Sequence, residues 1–413
     1  MKVVAALEPE RCMRDVRLAW LATHPIQYQA PLLRALARTP GLDLTAIFFS
    51  DFSTHSYVDR EFGRTVEWDV PLLDGYRHVF LPGTGNRETG IAFLRPRISG
   101  LKQLMTRQHF DAVLVQGWIH YGYVMAAWLA HHGGVKVLLR CEATDHVTSS
   151  TGIKRVAREM LVRFLLAQVD QFVAIGTRNR SFYLSRGIAP DRIGQMPYCV
   201  DNNYFQAQAR AADKIRLRTE LGLDGRPVIL FASKLIARKH GDDLLRAYGH
   251  LDGPKPYLLF VGDGEQRAEL MRIAQDNCFS AVRFLGFRNQ SELPAFYALA
   301  DIFVLPSVDE TWGLVVNEAM NAGCAIVVSD QVGSGADLVK DGENGFVFAA
   351  RDVTALANAL SATLADDQYR AMGQRSLDIV AGWGIEANVA GLSAALGIRE
   401  PPHEIQHCRA DLQ

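Results

Sequence analysis

The sequence predicts an α/β protein in which two doubly wound domains of parallel β-strands face each other across a cleft. Short apolar runs of strand length alternate with helical patterns along most of the chain, which is typical of parallel sheets covered by helices on both faces. The alternation occurs twice, and a turn-rich stretch over residues 196–205 separates the two series. A chain of 413 residues is also long enough for two or three domains of ordinary size.

The first domain is predicted over residues 16–198, after an N-terminal tail over residues 1–15. Its strands are expected at Leu18–Thr23, Leu44–Phe49, Ala112–Gln116, Val135–Arg140 and Phe172–Ile175. Helical patterns between them cover Pro31–Arg38, Tyr121–His132 and Ile153–Ala167.

The second domain is predicted over residues 199–380. A terminal helix over residues 381–398 is expected to pack back toward the first domain, before a C-terminal tail over residues 399–413. Strands of the second domain are expected at Val228–Ala232, Tyr257–Val261, Val282–Leu285, Ile302–Leu305 and Ala325–Val328. Ligands of such sheets bind outside the carboxyl ends of the strands, so each domain should present one ligand site to the cleft.

Composition excludes a disordered, collagenous or coiled-coil protein, because 48% of residues are hydrophobic and 22% are charged. A net charge of −1 gives no general attraction to nucleic acid, and no nucleic-acid partner is expected. Residues 1–200 contain 24 basic and 17 acidic side chains, whereas residues 201–413 contain 20 basic and 28 acidic side chains. This asymmetry suggests different partners for the two halves, with an anionic partner on the first.

The chain is expected to be cytoplasmic. Its six cysteines are dispersed without metal-binding spacing, and it has no run of about 18 apolar residues. The basic, amphipathic stretch Ile153–Arg163 allows weak peripheral contact between the first domain and the inner face of a membrane. A solvated helix face explains the same stretch and is the preferred interpretation.

The strongest functional signal is the stretch Leu305–Gly323, where a strand is followed by a loop carrying Glu310 and a helix carrying Glu318. The amides of residues 313–315 begin this helix, and unpaired amides at a helix start bind anions. Eight helical positions span about 12 Å, which exceeds the roughly 5–9.5 Å between paired glycosidase carboxyls. The two acids therefore suit the ends of one extended ligand with phosphates between them.

Two further strand ends carry candidate ligand contacts. Lys234 and Lys239 flank a short loop after the strand Val228–Ala232, where two cations could neutralise a diphosphate. Glycines follow the next two strands, at Gly262 and Gly286. Each feature also has a simpler explanation, namely a solvated basic loop or a tight turn.

In the first half, polar and aromatic residues follow the strands. His24, Gln27 and Tyr28 come after the first strand, and Trp118 after the third. We predict that they contact the ligand of the first domain, although a plain turn and a core tryptophan are the structural alternatives. The long loop over residues 51–69 is rich in aromatic residues and is predicted to be a lid or a wall of the site for this ligand.

These motifs resemble those of the retaining glycosyltransferases of family 4, which have the GT-B fold of two Rossmann-like domains. The matching features are Glu310-x7-Glu318, Lys234-x4-Lys239, Gly262-Asp-Gly264 and Asp341-Gly-Glu-Asn-Gly345. The resemblance covers about residues 15–398 and is strongest after residue 195.

The resemblance implies roles for individual residues. Glu310 would contact the donor sugar, Glu318 the ribose hydroxyls, and the two lysines the diphosphate. Many family members have a histidine where this chain has Arg140-Cys141-Glu142. The expected catalytic residues are therefore Glu310, Lys239, Lys234 and Glu142. The expected donor-binding residues are Gly262, Gly286, Phe287, Arg288, Trp312, Gly313, Leu314, Val315 and Glu318, and the acceptor-binding residues are His24, Gln27, Tyr28, Trp118 and Arg140. Arg140 and Glu142 could instead pair with each other.

The implied reaction moves a sugar from a nucleoside-diphosphate sugar, with UDP or GDP as the nucleotide, to an acceptor with retention of configuration. The acceptor is expected to be a small natural product, a glycan or a lipid-linked glycan. No cofactor is expected, and the absence of an Asp-x-Asp motif predicts activity without a metal. The alternatives are a nucleotide-sugar epimerase or phosphorylase, a non-catalytic carbohydrate-binding protein, and a dinucleotide oxidoreductase. The oxidoreductase is disfavoured because no Gly-x-Gly-x-x-Gly motif is complete.

Overall fold

Two parallel β-sheets form the centres of two α/β domains in the computed structural model, as the sequence predicts. The structure describes residues 14–59, 61–84, 91–145 and 152–398. The predicted C-terminal tail and all but two residues of the predicted N-terminal tail lie outside these ranges.

The first domain contains a seven-stranded sheet and two small hairpins. Its strands are β1 Val16–Ala22, β2 Leu42–Phe48, β3 Tyr57–Asp59, β4 Arg64–Val66, β5 His78–Phe80, β6 Gly83–Thr84, β7 Arg97–Ile98, β8 Ala112–Val115, β9 Lys136–Leu139, β10 Gln171–Ala174 and β11 Ile193–Gln195. Its helices are α1 Gln29–Ala37, α2 Leu101–Gln108, α3 Tyr121–His132, α4 Gly152–Leu166 and α5 Thr177–Ser185. The sheet order is β11-β10-β9-β8-β1-β2-β5, so the strand sequence changes direction between β1 and β8.

The second domain contains a six-stranded parallel sheet. Its strands are β12 Val228–Ala232, β13 Tyr257–Val261, β14 Val282–Gly286, β15 Ile302–Leu305, β16 Ala325–Ser329 and β17 Gly345–Phe348. The remaining helices are α6 Asn202–Ala211, α7 Lys214–Glu220, α8 Gly241–Gly249, α9 Arg267–Asp276, α10 Leu293–Leu299, α11 Leu314–Asn321, α12 Gly335–Leu338, α13 Val353–Leu364, α14 Gln368–Val380 and α15 Ile385–Leu396. The sheet order β14-β13-β12-β15-β16-β17 changes direction between β12 and β15.

All ten predicted strands are confirmed, each within two residues at either end. The three predicted helices of the first domain are also confirmed. Central strands such as β12 are buried along their whole length because helices cover both faces of the sheet, which explains their continuous apolar runs. The strands that were missed, including the edge strands β5, β11 and β17, have only two to four residues and therefore show no periodicity.

The connection between the domains continues directly into α6. Asp201 begins that helix, because its side chain accepts a hydrogen bond from the amide of Tyr204 at 3.0 Å. Phe205 then enters the core of the second domain. This local geometry explains the Val-Asp-x-x-x-Phe pattern of residues 200–205.

The last helix, α15, returns to the first domain. It packs against α1, β10 and β11, and Lys136 Nζ donates a hydrogen bond to the carbonyl of Ala395 at 2.6 Å. The second domain is therefore tied to the first at both ends of its sequence.

The stretch Val353–Leu396 contains an 18-residue window with a mean hydropathy of 1.3, and it could cross a membrane by length and composition alone. It is not one continuous helix, however. Asp366 and Asp367 have φ values of 49° and 55° between α13 and α14, and the three helices contain 12, 13 and 12 residues. Thirteen helical residues span only about 20 Å, short of the roughly 30 Å of a bilayer core.

Candidate active site

Two adjoining cavities open where the strand order changes direction in each sheet. The second-domain cavity, of about 270 Å³, lies at the carboxyl ends of β12 and β13 and beside the loop after β15. The first-domain cavity, of about 580 Å³, lies at the carboxyl ends of β1, β8 and β9. Tyr28, the residue before α1, lines both cavities. This is the position at which doubly wound sheets bind their ligands.

Four cationic side chains, Lys234, Arg238, Lys239 and Arg288, line the second-domain cavity. Lys239 is only 6% exposed and forms an ion pair with Glu310. Burial lowers the pKa of Lys239, and the Glu310 carboxylate opposes that effect. Arg238 Nη1 donates to the same carboxylate oxygen at 3.1 Å. Both cations therefore share one carboxylate oxygen, and each keeps further N–H groups that can donate to an incoming anion.

The start of α11 adds backbone donors to the same wall. Gly313 has a φ of 89°, a conformation that glycine adopts without strain, and α11 begins at the next residue. The first amides of a helix have no carbonyl partner within it. Because Gly313, Leu314 and Val315 line the cavity, these amides and the helix dipole favour an anion there.

Glu318 lies further along α11 and is only 7% exposed. Tyr297 Oη donates a hydrogen bond to its carboxylate at 2.7 Å. Burial raises the pKa of Glu318 to about 7, although hydrogen bonds from Tyr297 and Gln290 oppose the rise. The cavity therefore contains a carboxyl group that titrates near neutral pH.

Gly262, Phe287 and Arg288 form the end of the cavity beside β13 and β14. A Cβ atom on Gly262 would lie 1.9 Å from the carbonyl oxygen of Ser233, so only glycine fits at this position. The Gly262 amide donates to the carbonyl of Gly286 at 2.9 Å. Gly286 thus shapes the wall through a backbone bond and is not among the lining residues.

Trp312 differs from its expected role as a donor contact. It is 3% exposed, and its indole N–H donates to Asn317 Oδ1 at 2.9 Å. Its ring packs against Tyr198 and Trp383, with centroids 6.0 and 5.5 Å away. The chain turns inward at Trp312 between Glu310 and the start of α11, so this side chain enters the core and not the cavity.

Trp118 and Arg140, which were predicted to contact the acceptor, line the first-domain cavity. The Trp118 ring stacks on Phe182 with centroids 5.9 Å apart, so it is both a packing residue and part of the wall. Arg140 is 4% exposed and donates to Asn388 Oδ1 at 3.3 Å. Its guanidinium lies 4.9 Å from the centre of the Tyr198 ring.

Glu142, in the same cavity, accepts two hydrogen bonds, and the one from Thr311 comes from the second domain. Tyr198 Oη donates to Oε1 at 2.5 Å, and Thr311 Oγ1 donates to Oε2 at 3.0 Å. Thr311 follows Glu310 directly in the sequence. Arg140 donates to Asn388, and Glu142 accepts from Tyr198 and Thr311. The alternative in which Arg140 and Glu142 pair with each other is therefore wrong for this structure.

His24 and Gln27 are not placed as expected. The His24 ring lies 4.4 Å from the Phe52 ring, and its Nδ1 is 2.9 Å from Thr23 Oγ1. Burial lowers the pKa of His24 to about 4, so the imidazole is neutral at physiological pH. His24 is not among the residues that line either cavity, because its side chain turns toward Phe52. Gln27 lines the second-domain cavity, on the donor side.

Several lining residues were missed in the sequence. They include Arg238, Gln290 and Tyr297, whereas Glu61, Phe62 and Trp68 lie in the long loop that was predicted to be a lid or a wall of the acceptor site. Arg238 could have been inferred from its position beside Lys239. The aromatic segment was expected over the acceptor, whereas residues 61–68 cover the second-domain cavity. Nothing in the sequence indicates across which domain a long loop folds.

Two other features lie outside the two cavities. His240, Asp242 and Asp243 form the one cluster with metal-ligand spacing among the residues the structure describes. Arg246 contacts both of its carboxylates, which gives the cluster a structural explanation. A depression of about 760 Å³ beside α4 and α5 contains Arg186, which pairs with Asp145 at 2.7 Å.

Two Rossmann-like domains, with an anion-binding wall on the second and an adjoining polar cavity on the first, define a class of enzymes that use nucleotide-activated substrates. Residues 213–376 match the family model described as glycosyl transferases group 1. This range includes Lys234, Lys239, Glu310 and Glu318. The chain belongs to this family of glycosyltransferases.

Curated relatives agree with the family match. A GDP-mannose-dependent alpha-(1-6)-phosphatidylinositol monomannoside mannosyltransferase of Mycobacterium tuberculosis is 32% identical over 275 residues, which are 62% of this chain and 70% of the relative. A D-inositol 3-phosphate glycosyltransferase of Nocardia farcinica is 32% identical over 258 residues, 58% of this chain and 56% of the relative. The match to the latter thus spans little more than half of that relative's length.

Solved structures share the fold over nearly the whole chain. Sucrose-phosphate synthase from Thermosynechococcus elongatus has a TM-score of 0.68 at 19% identity, over 92% of this chain and 98% of that one. HepE of Anabaena, solved with UDP, has a TM-score of 0.69 at 16% identity, over 93% of this chain and 99% of that one. The protein therefore has the GT-B fold.

Proposed function

We propose that the protein transfers a glycosyl group from a nucleoside-diphosphate sugar, bound in the second-domain cavity, to a nucleophile of an acceptor bound in the first-domain cavity. The observation that carries this proposal is the convergence of Lys234, Lys239 and the first amides of α11 on one cavity that also contains Glu318. Cations and amides suit a diphosphate, and a carboxylate suits the two hydroxyls of a ribose. The same proposal includes UDP or GDP as the nucleotide of the donor.

In the proposed reaction the bond between the anomeric carbon and the diphosphate oxygen breaks while the bond to the acceptor oxygen forms. Negative charge grows on the departing diphosphate, where the lysines and amides stabilise it more strongly than in the ground state. By analogy with retaining family members, the acceptor proton passes to the departing diphosphate oxygen and the configuration is retained. The protein's own residues supply this stabilisation, so we expect turnover without a divalent metal.

The first-domain cavity suits a polar acceptor with a ring. Arg140 and Glu142 provide a donor and an acceptor of hydrogen bonds, and Trp118 provides a flat apolar surface. Glu142 is linked through Thr311 to the loop that carries Glu310. We propose that this link holds the acceptor beside the donor sugar.

The experiment that tests the proposal begins with a thermal-shift screen of UDP, GDP, ADP and TDP. Sugars of the best nucleotide are then incubated with the protein, with and without chelator, and the products are followed by proton NMR. Release of free nucleoside diphosphate with an α-linked product from an α-linked donor supports the proposal. An epimerised donor without diphosphate release would contradict it, as would turnover that a chelator abolishes and magnesium restores.

We also propose that an anionic membrane surface is a partner of the first domain. On α4, Val156, Met160 and Phe164 recur every four residues and are 58%, 68% and 45% exposed. Arg158 and Arg163 are exposed beside them, and Arg158 also reaches the first-domain cavity. An apolar stripe flanked by arginines fits a lipid surface with negative headgroups.

A further inference from the structure

A hairpin of the first domain contacts the second-domain cavity. Strands β3 and β4 pair antiparallel, with Asp59 opposite Arg64. Asp59 Oδ1 accepts hydrogen bonds from the amides of Glu61 and Phe62, at 2.9 and 3.0 Å, and so fixes the turn. The tip of the hairpin thereby presents two carboxylates and an aromatic ring in one direction.

That tip binds Lys234, one of the cations at the end of β12. Lys234 Nζ lies 3.2 Å from Asp59 Oδ2 and 2.6 Å from Glu61 Oε2. It also lies 4.7 Å from the centre of the Phe62 ring. Two carboxylates on one ammonium group present the same charge pattern as the two phosphates of a nucleoside diphosphate.

The rest of the segment is anchored to the second domain on the far side of the cavity. The rings of Phe62 and Phe287 have centroids 5.0 Å apart, and the Arg64 guanidinium lies 4.8 Å from the Phe287 ring centre. Asn289 Nδ2 donates to the carbonyl of Glu67 at 2.6 Å. Residue 59 and residues 61–67 therefore cover the cavity from the lysine end to the Phe287 end.

The covered cavity is small for the proposed ligand. Its volume of about 270 Å³ is less than half that of the neighbouring first-domain cavity. Sites for ligands of drug size have volumes of roughly 300–1,000 Å³. A nucleotide sugar must therefore displace part of the cover, and the carboxylates on Lys234 lie where its phosphates would bind.

We propose that Asp59 and Glu61 determine donor affinity by acting as internal counter-ions that the donor diphosphate displaces from Lys234. The proposal rests on the proposed function and adds residues of the first domain to its donor site. Displacement also separates Phe62 from Phe287, because like charges drive the acidic tip away from the bound diphosphate. Donor binding and opening of the hairpin are therefore coupled.

The test compares the full chain with a double variant, Asp59→Asn with Glu61→Gln, by calorimetric titration with UDP and with GDP. Asparagine keeps an oxygen that can accept the two amide bonds of the turn. We expect the double variant to bind the preferred nucleotide about 3- to 30-fold more tightly, the range expected for removing two partly exposed ion pairs. Glu67→Gln is the matched control, because Glu67 contacts Asn289 through its backbone, and its affinity should equal that of the wild type.

Hydrogen exchange of residues 57–69 provides a second readout, and added nucleotide should accelerate it in the wild type. Equal or weaker binding by the double variant overturns the proposal. So does a magnesium-dependent gain in affinity that the wild type shows and the double variant lacks, because the acids would then be metal ligands. If neither form binds either nucleotide, the donor assignment itself fails, whereas binding by the double variant alone supports the counter-ion role.

Discussion

Lys239 and Glu310 form an ion pair from which water is almost fully excluded, with side-chain exposures of 8% and 12%. Arg238 contacts the same carboxylate from a more exposed position, at 3.1 Å. This arrangement keeps the charged Lys239 side chain at the strand end where the donor diphosphate is proposed to bind. The energetic value of such a pair depends on both partners being present.

Replacing Lys239 with alanine should weaken nucleotide binding by about 10- to 100-fold, because a hydrogen bond to a charged group contributes about 1.5–3 kcal/mol. The variant should also lose thermal stability, since Glu310 stays buried with one cation fewer. Calorimetric titration and melting curves measure the two effects. Lys340→Ala is the control, since Lys340 is an exposed lysine of the same domain. Wild-type affinity in Lys239→Ala would contradict the site assignment.

Glu318 should make both stability and donor affinity depend on pH. Its folded-state pKa of about 7 exceeds the ordinary value of 4.5, so the folded state binds more protons than the unfolded state between these pH values. Its contribution to stability therefore falls as the pH rises from about 4.5 toward 7. Glu318→Gln cannot ionise and should be more stable than wild type above pH 7, by up to about 3 kcal/mol.

The same substitution should weaken nucleotide binding, because only the carboxylate can accept hydrogen bonds from both ribose hydroxyls. Wild-type affinity should rise as the pH increases through 7, and that of Glu318→Gln should not. Melting temperatures and nucleotide titrations at pH 5.5 and 8 measure this, and Glu343→Gln, at an exposed glutamate of the same domain, is the control. A wild-type affinity that is flat over this range would contradict the role of Glu318.

Tyr28 should prevent water from reaching the donor, because it lines both cavities and its ring packs on Tyr198 at 5.9 Å. Tyr28→Ala opens a passage between them, so hydrolysis of the donor without acceptor should increase about fivefold or more. Tyr28→Phe keeps the ring and should remain near the wild-type rate. Release of nucleoside diphosphate without acceptor measures the effect, and equal rates in all three proteins would refute the separating role.

Glu142 should affect turnover more than donor binding, because it lies in the first-domain cavity and contacts the donor side only through Thr311. Glu142→Ala should lower kcat by about tenfold or more, with nucleotide affinity within about twofold of wild type. Thr311→Val removes the neutral hydrogen-bond donor that holds Glu142, and its loss should reduce the free energy that positions the Glu142 carboxylate by about 1 kcal/mol. A large loss of nucleotide affinity in Glu142→Ala would place Glu142 in the donor site instead.

The exposed stripe on α4 should bind anionic vesicles. Replacing Met160 and Phe164 with aspartate removes apolar area and adds negative charge, so co-sedimentation with phosphatidylglycerol vesicles should fall by about tenfold or more. Vesicles of phosphatidylcholine alone should bind wild type weakly. Met271→Asp, at a methionine that is 44% exposed in the second domain, serves as control. Equal sedimentation of all forms would leave α4 as a solvated helix.

The amino-acid sequence alone determined the two sheets and placed the predicted donor contacts at the strand ends of the second domain. Buried parallel strands require continuous apolar runs, and these identified β12, β13 and β15 to the residue. Lys234, Lys239 and Glu318 were predicted as donor contacts because they lie next to such strands or helices, where short-range geometry fixes the positions of side chains. Local sequence determines local structure, so these predictions needed no knowledge of distant residues.

Tertiary structure decided what depends on contacts between residues far apart in the chain. The hairpin tip meets Lys234 across about 175 positions, and Glu142 meets Thr311 across 169. The inward turn of Trp312 and the packing of His24 on Phe52 likewise depend on neighbours that no periodicity reveals. The sequence specifies which groups are present at each strand end, but only the folded chain decides which of them face a cavity and which face each other.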